Sequence, residues 1–396
     1  MSKELQHSVA VLGLPLANVT AHEAVEEIER LILSGGTHQV ATANLDFWLN
    51  SLNDVHLHRI IAGCSLVLPD GMPLVWISKM FGTPLKERVS GVDMVPMLAE
   101  LSAKKGYGIY LLGGRPGVAE QASKVLQEAY PGVNIVGHHA PPLVDLERMD
   151  HGDTLERIRQ AKPDILLVAF GNPKQEKWIR MHAKRLGIPV SIGIGGSMDM
   201  LIGDVRRAPR WMQRSGFEWL GRCLQEPGRL LPRYARNFNG LALKLPVALM
   251  ATFLQRRRGG ESSGIRRASD PGMVHLHLQG NLEAATASTL DRIVGGCIDS
   301  GQLLVVHMRE LKYASPEGLG VLLDARQRLL ATGLSLTLAS VPARMKMLFS
   351  AWCLGPLFDE FKLERESFAL GRKPSRAVKF ATLVGKEAGI AIKSES

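Results

Sequence analysis

Five short apolar runs in the first half of the chain each break off at glycine, aspartate or asparagine and hand over to a segment of helical character. Gln39 to Ala43 ends in Thr42-Ala43-Asn44, Ser65 to Leu68 in Pro69-Asp70-Gly71, and Gly108 to Leu112 in Gly113-Gly114-Arg115-Pro116-Gly117. Asp164 to Ala169 runs into Phe170-Gly171-Asn172-Pro173-Lys174-Gln175-Glu176, and Val190 to Ile194 into Gly195-Gly196-Ser197-Met198-Asp199. Runs this short and this apolar fit strands buried on both faces. Strands that alternate with helices pair in parallel, because each helix carries the chain back across the sheet. The fold class expected is therefore α/β, a Rossmann-like, mostly parallel sheet with helices on both faces. Val9 to Leu12 reads as one more strand, ahead of a helix from Ala21 to Leu33 that Thr20 caps, and Val118 to Tyr130 reads as a helix.

Such a sheet gathers all its strand-ending loops at one edge, where open α/β sheets hold their ligands. Asp70 falls at that edge. The glycine loops would aim backbone N–H groups and helix N-termini at an anion, most simply a nucleotide or sugar phosphate. Gly193-Ile194-Gly195-Gly196 departs from the dinucleotide fingerprint because Met198 stands where the third glycine belongs, which disfavours a nicotinamide enzyme. HExxH, paired CxxC, DxD and GxSxG patterns are all missing from the sequence, so no metal site and no nucleophile elbow is expected. The four cysteines, Cys64, Cys223, Cys297 and Cys353, are scattered and read as reduced thiols.

Charge is concentrated in one place. Val205 to Arg258 holds eleven arginines and Lys244 against two acids, Glu218 and Glu226; twelve cations less two acids equals the whole chain's net charge of +10. Trp211, Phe217, Trp219, Tyr234 and Phe238 are interleaved with them, and an apolar run follows from Leu245 to Leu254. Cations mixed with aromatics and closed by an apolar segment suit an anionic membrane surface. Phosphate backbones attract the same charges, so nucleic acid is the competing partner. No run is long enough to predict a spanning helix, since Leu245 to Leu254 would cover only about 15 Å, and Met1 to His7 lacks the pattern of a secretory signal.

Taken together, the blocks Thr42-Ala43-Asn44, Pro69-Asp70-Gly71-Met72-Pro73, Glu87-Arg88-Val89-Ser90-Gly91-Val92-Asp93, Leu112-Gly113-Gly114, Phe170 to Glu176 and Gly195 to Asp199 resemble the WecG/TagA/CpsF family of bacterial glycosyltransferases. The resemblance covers roughly Val9 to Arg236. It implies inverting transfer of a sugar from a UDP-sugar to a polyprenyl-diphosphate-linked sugar during surface polysaccharide synthesis. It implies no cofactor and no metal, and a peripheral position on the inner face of the cytoplasmic membrane. An arginine-rich appendage would meet the lipid and help to close the site. The acceptor hydroxyl must lose a proton as it attacks, and Asp70 is the carboxylate chosen as general base. Thr42 and Asn44 would hold sugar hydroxyls. Arg88, Asp93, Gly113, Gly114, Asn172, Gln175, Gly195, Gly196 and Asp199 are the expected substrate contacts, with Arg207, Arg214 and Arg222 brought in for the departing diphosphate.

Beyond residue 258 the composition changes. Residues 259–272, with Gly259-Gly260 and Asp270-Pro271-Gly272, read as a flexible linker. A second α/β unit follows over 273–359, and 360–396 read as a basic, mobile tail. Leu278-Gln279-Gly280-Asn281-Leu282 and Ser315-Pro316-Glu317-Gly318-Leu319-Gly320 make this unit similar to a STAS domain. In that family the position before Gly318 often carries a phosphorylatable hydroxyl; Glu317 stands there, so a fixed surface for a protein partner is expected instead of a phosphorylation switch. The domains expected are thus a glycosyltransferase core (1–204), a membrane-associating appendage (205–258), the linker, the STAS-like unit and the tail. Self-association is left open by the sequence. Readings from other classes are a non-catalytic STAS scaffold and a nucleic-acid-binding protein.

Overall fold

The computed structural model describes residues 7–142, 144–205, 208–209, 212, 217–256 and 263–362. The chain opens with a hairpin, β1 (Ser8–Val11) and β2 (Leu14–Ala17), paired antiparallel. It turns at Leu12 and Gly13, both with positive φ (51° and 86°), as a two-residue hairpin turn demands. The strand read at Val9 to Leu12 is thus present, but it stands apart from the main sheet.

That sheet contains β3 (His38–Ala43), β4 (Leu66–Pro69), β5 (Ile109–Gly113), β6 (Ile135–His139), β7 (Ile165–Ala169) and β8 (Val190–Gly193). All pairs are parallel, in the order β4-β3-β8-β7-β5-β6. Every strand but β6 is almost wholly buried, which is why each appears in the sequence as an apolar run. On one face, Ala21–Ser34, Gly91–Lys105 and Val118–Ala129 close a core; His151–Ala161 and Lys174–Leu186 close another on the opposite face. Thr20 caps the first helix as expected, with Glu23 completing a reciprocal capping box.

Among its described residues, the basic stretch forms the helices Glu218–Gln225 and Pro227–Arg256. The second has 30 residues, about 45 Å, and takes in Pro232 and Pro246. Its segment Leu230–Arg256 is long and apolar enough to cross a membrane by length and composition, which the shorter run Leu245 to Leu254 had not suggested. One face of this helix is nevertheless committed to protein. Leu230, Asn237, Ala248, Ala251, Thr252 and Gln255 are buried, and Gly240 lets it approach Leu49 so closely that a Cβ would meet Leu49 Cδ1 at 2.4 Å. The opposite face exposes Leu231, Leu243, Val247, Met250, Phe253 and Leu254.

The C-terminal unit has four strands, β9 (Ser263–Asp270), β10 (Met273–Leu282), β11 (Leu303–Ala314) and β12 (Leu336–Ala339), in the order β12-β11-β10-β9. Helices Ala287–Ser300, Pro316–Ala331 and Ala343–Ala351 accompany them. The linker expected over 259–272 is corrected here from residue 263 onward. Ser263–Asp270 is a strand, and Pro271-Gly272 is the tight turn that pairs it with β10, with Gly272 at φ 80° supplying the positive angle such a turn requires. Residues 257–262 and the tail from 363 lie outside the described residues. The two units share one core: the hairpin and helices Leu45–Asn53, Val55–Ala62 and Met72–Met80 belong to the same buried cluster as the C-terminal sheet.

Candidate active site

A cleft of about 720 Å³ opens where β3, β4, β7 and β8 end, between the sheet edge and the helix Glu218–Gln225 with the first turns of Pro227–Arg256. Asp70 follows directly on β4. Its backbone N–H donates to Ala43 O (2.7 Å), which ties the ends of β3 and β4 together and fixes the direction of the side chain. Its carboxyl is partly buried in the cleft wall and, among the described residues, accepts no hydrogen bond. Burial therefore pushes its pKa up, to about 7. Arg88 and Arg222 oppose that rise, and Glu218 and Asp93 add to it. A carboxylate ionising near neutrality is a stronger base than an ordinary one and is still about half ionised at neutral pH, which suits it to take a hydroxyl proton.

Thr42 and Asn44 line the cleft with part of their hydrogen-bonding capacity committed. Thr42 Oγ1 donates to Gly193 O (2.9 Å), locking β3 to β8. Asn44 is the N-cap of Leu45–Asn53, its Oδ1 accepting from the amides of Asp46 (3.0 Å) and Phe47 (3.2 Å). What remains for a ligand is the Asn44 NH₂ group and the two lone pairs of the Thr42 hydroxyl.

Arg88 donates to Glu218 Oε2 (2.8 Å) and to Asp93 Oδ2 (3.2 Å). Asp93 stands behind the cleft wall at the start of helix Gly91–Lys105, bonded to Ser90 Oγ (2.6 Å), so it positions Arg88 instead of facing the cavity. Arg222, one helical turn past Glu218, lines the cleft and makes no ion pair among the described residues. It lies beside Gly196, where a Cβ would make only an ordinary contact, 3.9 Å from both Arg222 Nη2 and Asp199 Oδ2. Arg207 and Arg214 lie outside the described residues.

The glycine loops differ from the expected anion cradle. Gly114 N–H donates to Ala169 O (3.0 Å), and Gly171 N–H and Gly195 N–H both go to Gln175 Oε1 (3.1 and 3.0 Å). Gln175 is therefore a buried staple between two loops, and those amides are consumed inside the fold. Gly113 does not reach the cleft; it allows β5 to approach β7, where a Cβ would meet Ala169 O at 2.8 Å. Asn172 uses both ends of its amide, accepting from Asn50 Nδ2 (2.7 Å) and donating to Glu176 Oε2 (3.0 Å). Asp199 accepts from Arg115 Nη2 (3.0 Å), which also reaches Asp204 (2.8 Å). With these three amides spent inside the fold, the positive groups lining the cleft are the guanidinium groups of Arg88, Arg115, Arg222 and Arg233.

Sequence reasoning missed several residues of this cleft. Asp46, 8% exposed, receives Arg233 Nη2 (3.0 Å) and Arg236 Nη2 (2.8 Å) and so moors the long helix to the sheet edge. Arg236 also donates to Asn50 Oδ1 (3.3 Å), continuing the chain through Asn172 to Glu176. Glu218 holds Arg88. Trp219 packs edge-on against Tyr234 (5.4 Å) and Phe238 (5.3 Å), forming an aromatic wall at the cleft mouth. The aromatics standing between arginines in the sequence were the available signal for that wall.

Comparison with known proteins agrees with this geometry. The model of the glycosyl transferase WecG/TagA/CpsF family matches residues 9–259, and that of the STAS domain matches 265–367. An N-acetylglucosaminyldiphosphoundecaprenol N-acetyl-beta-D-mannosaminyltransferase of Bacillus subtilis (strain 168) is 31% identical over 201 residues, 50% of this chain and 77% of that relative. Proteins of the same name from Staphylococcus aureus (strain MW2) and Bacillus spizizenii are 29% and 28% identical, covering 56% and 48% of this chain and 86% and 72% of theirs.

Proposed function

Since the chain belongs to the WecG/TagA/CpsF glycosyltransferase family, we propose that it moves a sugar from a UDP-sugar to a sugar carried on polyprenyl diphosphate, in the assembly of a surface or wall polysaccharide. The observation that carries this reading is Asp70: a partly buried carboxyl, ionising at about 7, in a cleft it shares with the guanidinium groups of Arg88, Arg115, Arg222 and Arg233. The acceptor hydroxyl gives its proton to Asp70 as its oxygen bonds to the anomeric carbon. The bond from that carbon to the UDP oxygen breaks on the opposite side, so configuration inverts in one step. Arg222, with Arg88 once it is released from Glu218, meets the charge on the departing diphosphate in place of a metal. The acceptor class is supported by the relatives' name, which specifies a diphosphoundecaprenol carrier.

Membrane attachment fits the long helix. Its inner face is already buried on protein, so the outer stripe from Leu231 to Leu254 suits a helix lying in the interface, with Lys244 and Arg256 exposed for anionic headgroups. Arg222, Arg233 and Arg236 face the cleft or Asp46, which leaves fewer cations for lipid than the sequence total suggests. Incubating the purified protein with a panel of UDP-sugars and a short-chain polyprenyl-diphosphate N-acetylglucosamine acceptor tests the reaction. Product and free UDP with at least one donor are expected; no product with any donor contradicts the proposal. Flotation with liposomes tests attachment, and binding indifferent to lipid contradicts it.

A further inference from the structure

The STAS domain touches the glycosyltransferase unit at points that lead to both walls of the cleft. Helix Pro316–Ala331 is buried along its first half on two sides, one against its own sheet and the other against the N-terminal hairpin. Contact there is backbone to backbone: a Cβ on Gly320 would fall 1.7 Å from Ser8 O. Ser8 N–H donates to Asp324 Oδ2 (2.8 Å), and His7 Nε2 pairs with Asp291 (3.0 Å). The surface of this helix is thus already occupied by the chain's own first strand.

From the hairpin the contacts continue inward. β2 packs on β4, the strand that ends at Asp70. Trp48 Nε1, on the helix that carries Asp46, donates to Leu12 O (3.0 Å) in the hairpin turn. On the other side, Trp352 of the STAS domain joins three parts. Its carbonyl fills the space above Gly13, its indole N–H donates to Thr252 Oγ1 on the long helix (3.1 Å), and its ring meets Phe81 (4.7 Å). Gln255 Nε2 adds a bond to Arg344 O (2.9 Å).

We propose that the STAS domain works in cis as a clamp: the partner held by helix Pro316–Ala331 is the N-terminal hairpin, and through it and Trp352 the domain fixes the Asp70 strand and the long helix Pro227–Arg256 relative to each other. The catalytic consequence rests on the reading of the cleft as a glycosyl-transfer site; the mechanical one does not. Loosening one clamp contact then disturbs regions that the contact does not touch. Hydrogen exchange on the full chain, well below its melting temperature, tests this with Gly320→Leu, which forces the hairpin away, and with the milder Asp324→Asn in case the first fails to fold. The clamp predicts at least about tenfold faster exchange in 66–70 and 248–256 as well as in 8–17. It also predicts a kcat at least about tenfold lower, with donor Kd changed less than threefold. Faster exchange confined to 8–17, with kcat unchanged, overturns it. If exchange spreads while the wild-type protein transfers no sugar, the clamp stands and the proposed function falls.

Discussion

At the end of β4 the chain turns through Pro69-Asp70-Gly71 into the helix Met72–Met80, and at the end of β11 it turns through Ala314-Ser315-Pro316 into Pro316–Ala331. Both turns put a small polar residue at a parallel strand's end, beside a helix N-terminus. At the second, Ser315 Oγ accepts from Gly318 N–H (3.0 Å), the residue is 8% exposed, and the backbone of Ser8 covers the helix. At the first, a cleft opens over the turn, and the Asp70 carboxyl lines it, partly buried and without a hydrogen bond among the described residues. A strand-to-helix turn becomes a site when its neighbours leave it open and leave a charge unsatisfied; when they satisfy and cover it, it becomes part of the frame.

Substitutions on the two sides should separate these roles. Asp70→Asn removes the base and should lower kcat by about 10³-fold, within the range for general-base loss, as measured by product formation under saturating donor. It should also stabilise the fold at neutral pH. The folded state disfavours the ionised carboxyl, a penalty that appears as pH rises above the ordinary value near 4 and is complete above about 7. The expected gain is on the order of 1 kcal/mol, or about 2–4 °C in Tm, and it should vanish in melts at pH 4.

Arg222→Gln should cost about 10²-fold in kcat/KM. Because this cation holds the Asp70 pKa down, the acid limb of the pH profile should move to higher pH. Glu218→Gln acts in the opposite sense. It removes a negative charge that raises Asp70, so the limb should move to lower pH, with a rate change of less than about tenfold as Arg88 loses its partner on the helix Glu218–Gln225. On the covered side, Ser315→Ala should cost about 1 kcal/mol of stability through the lost cap, visible in thermal melts, and leave transfer at 25 °C within about twofold. A large activity loss there would erase the distinction between the two turns.

Much of the frame was legible in advance because buried parallel strands cannot avoid being continuous apolar runs: β3, β4, β5, β7 and β8 all appear that way. β6 was missed because an edge strand tolerates His138 and His139, and β2 because Pro15 interrupts an otherwise apolar segment. Ser263–Asp270 resembled a linker since its side chains are mostly exposed; only pairing across Pro271-Gly272 makes it a strand. Asp70 could be placed at the edge from local pattern alone. The partners that tune it could not, because Glu218 and Arg222 lie far along the chain and meet it only after folding. The same holds for Asp46 with Arg233 and Arg236, contacts spanning about 190 positions. Gln175, expected to touch substrate, lines the cleft and also binds two loop amides, a role no local spacing encodes.

The pH dependence of kcat/KM for transfer to a polyprenyl-diphosphate acceptor tests the central claim most directly. An acid limb near pH 7 in the wild-type protein, absent from the residual activity of Asp70→Asn, is the result this structure predicts. A limb near pH 4, or one that survives in Asp70→Asn with near-normal turnover, would contradict it.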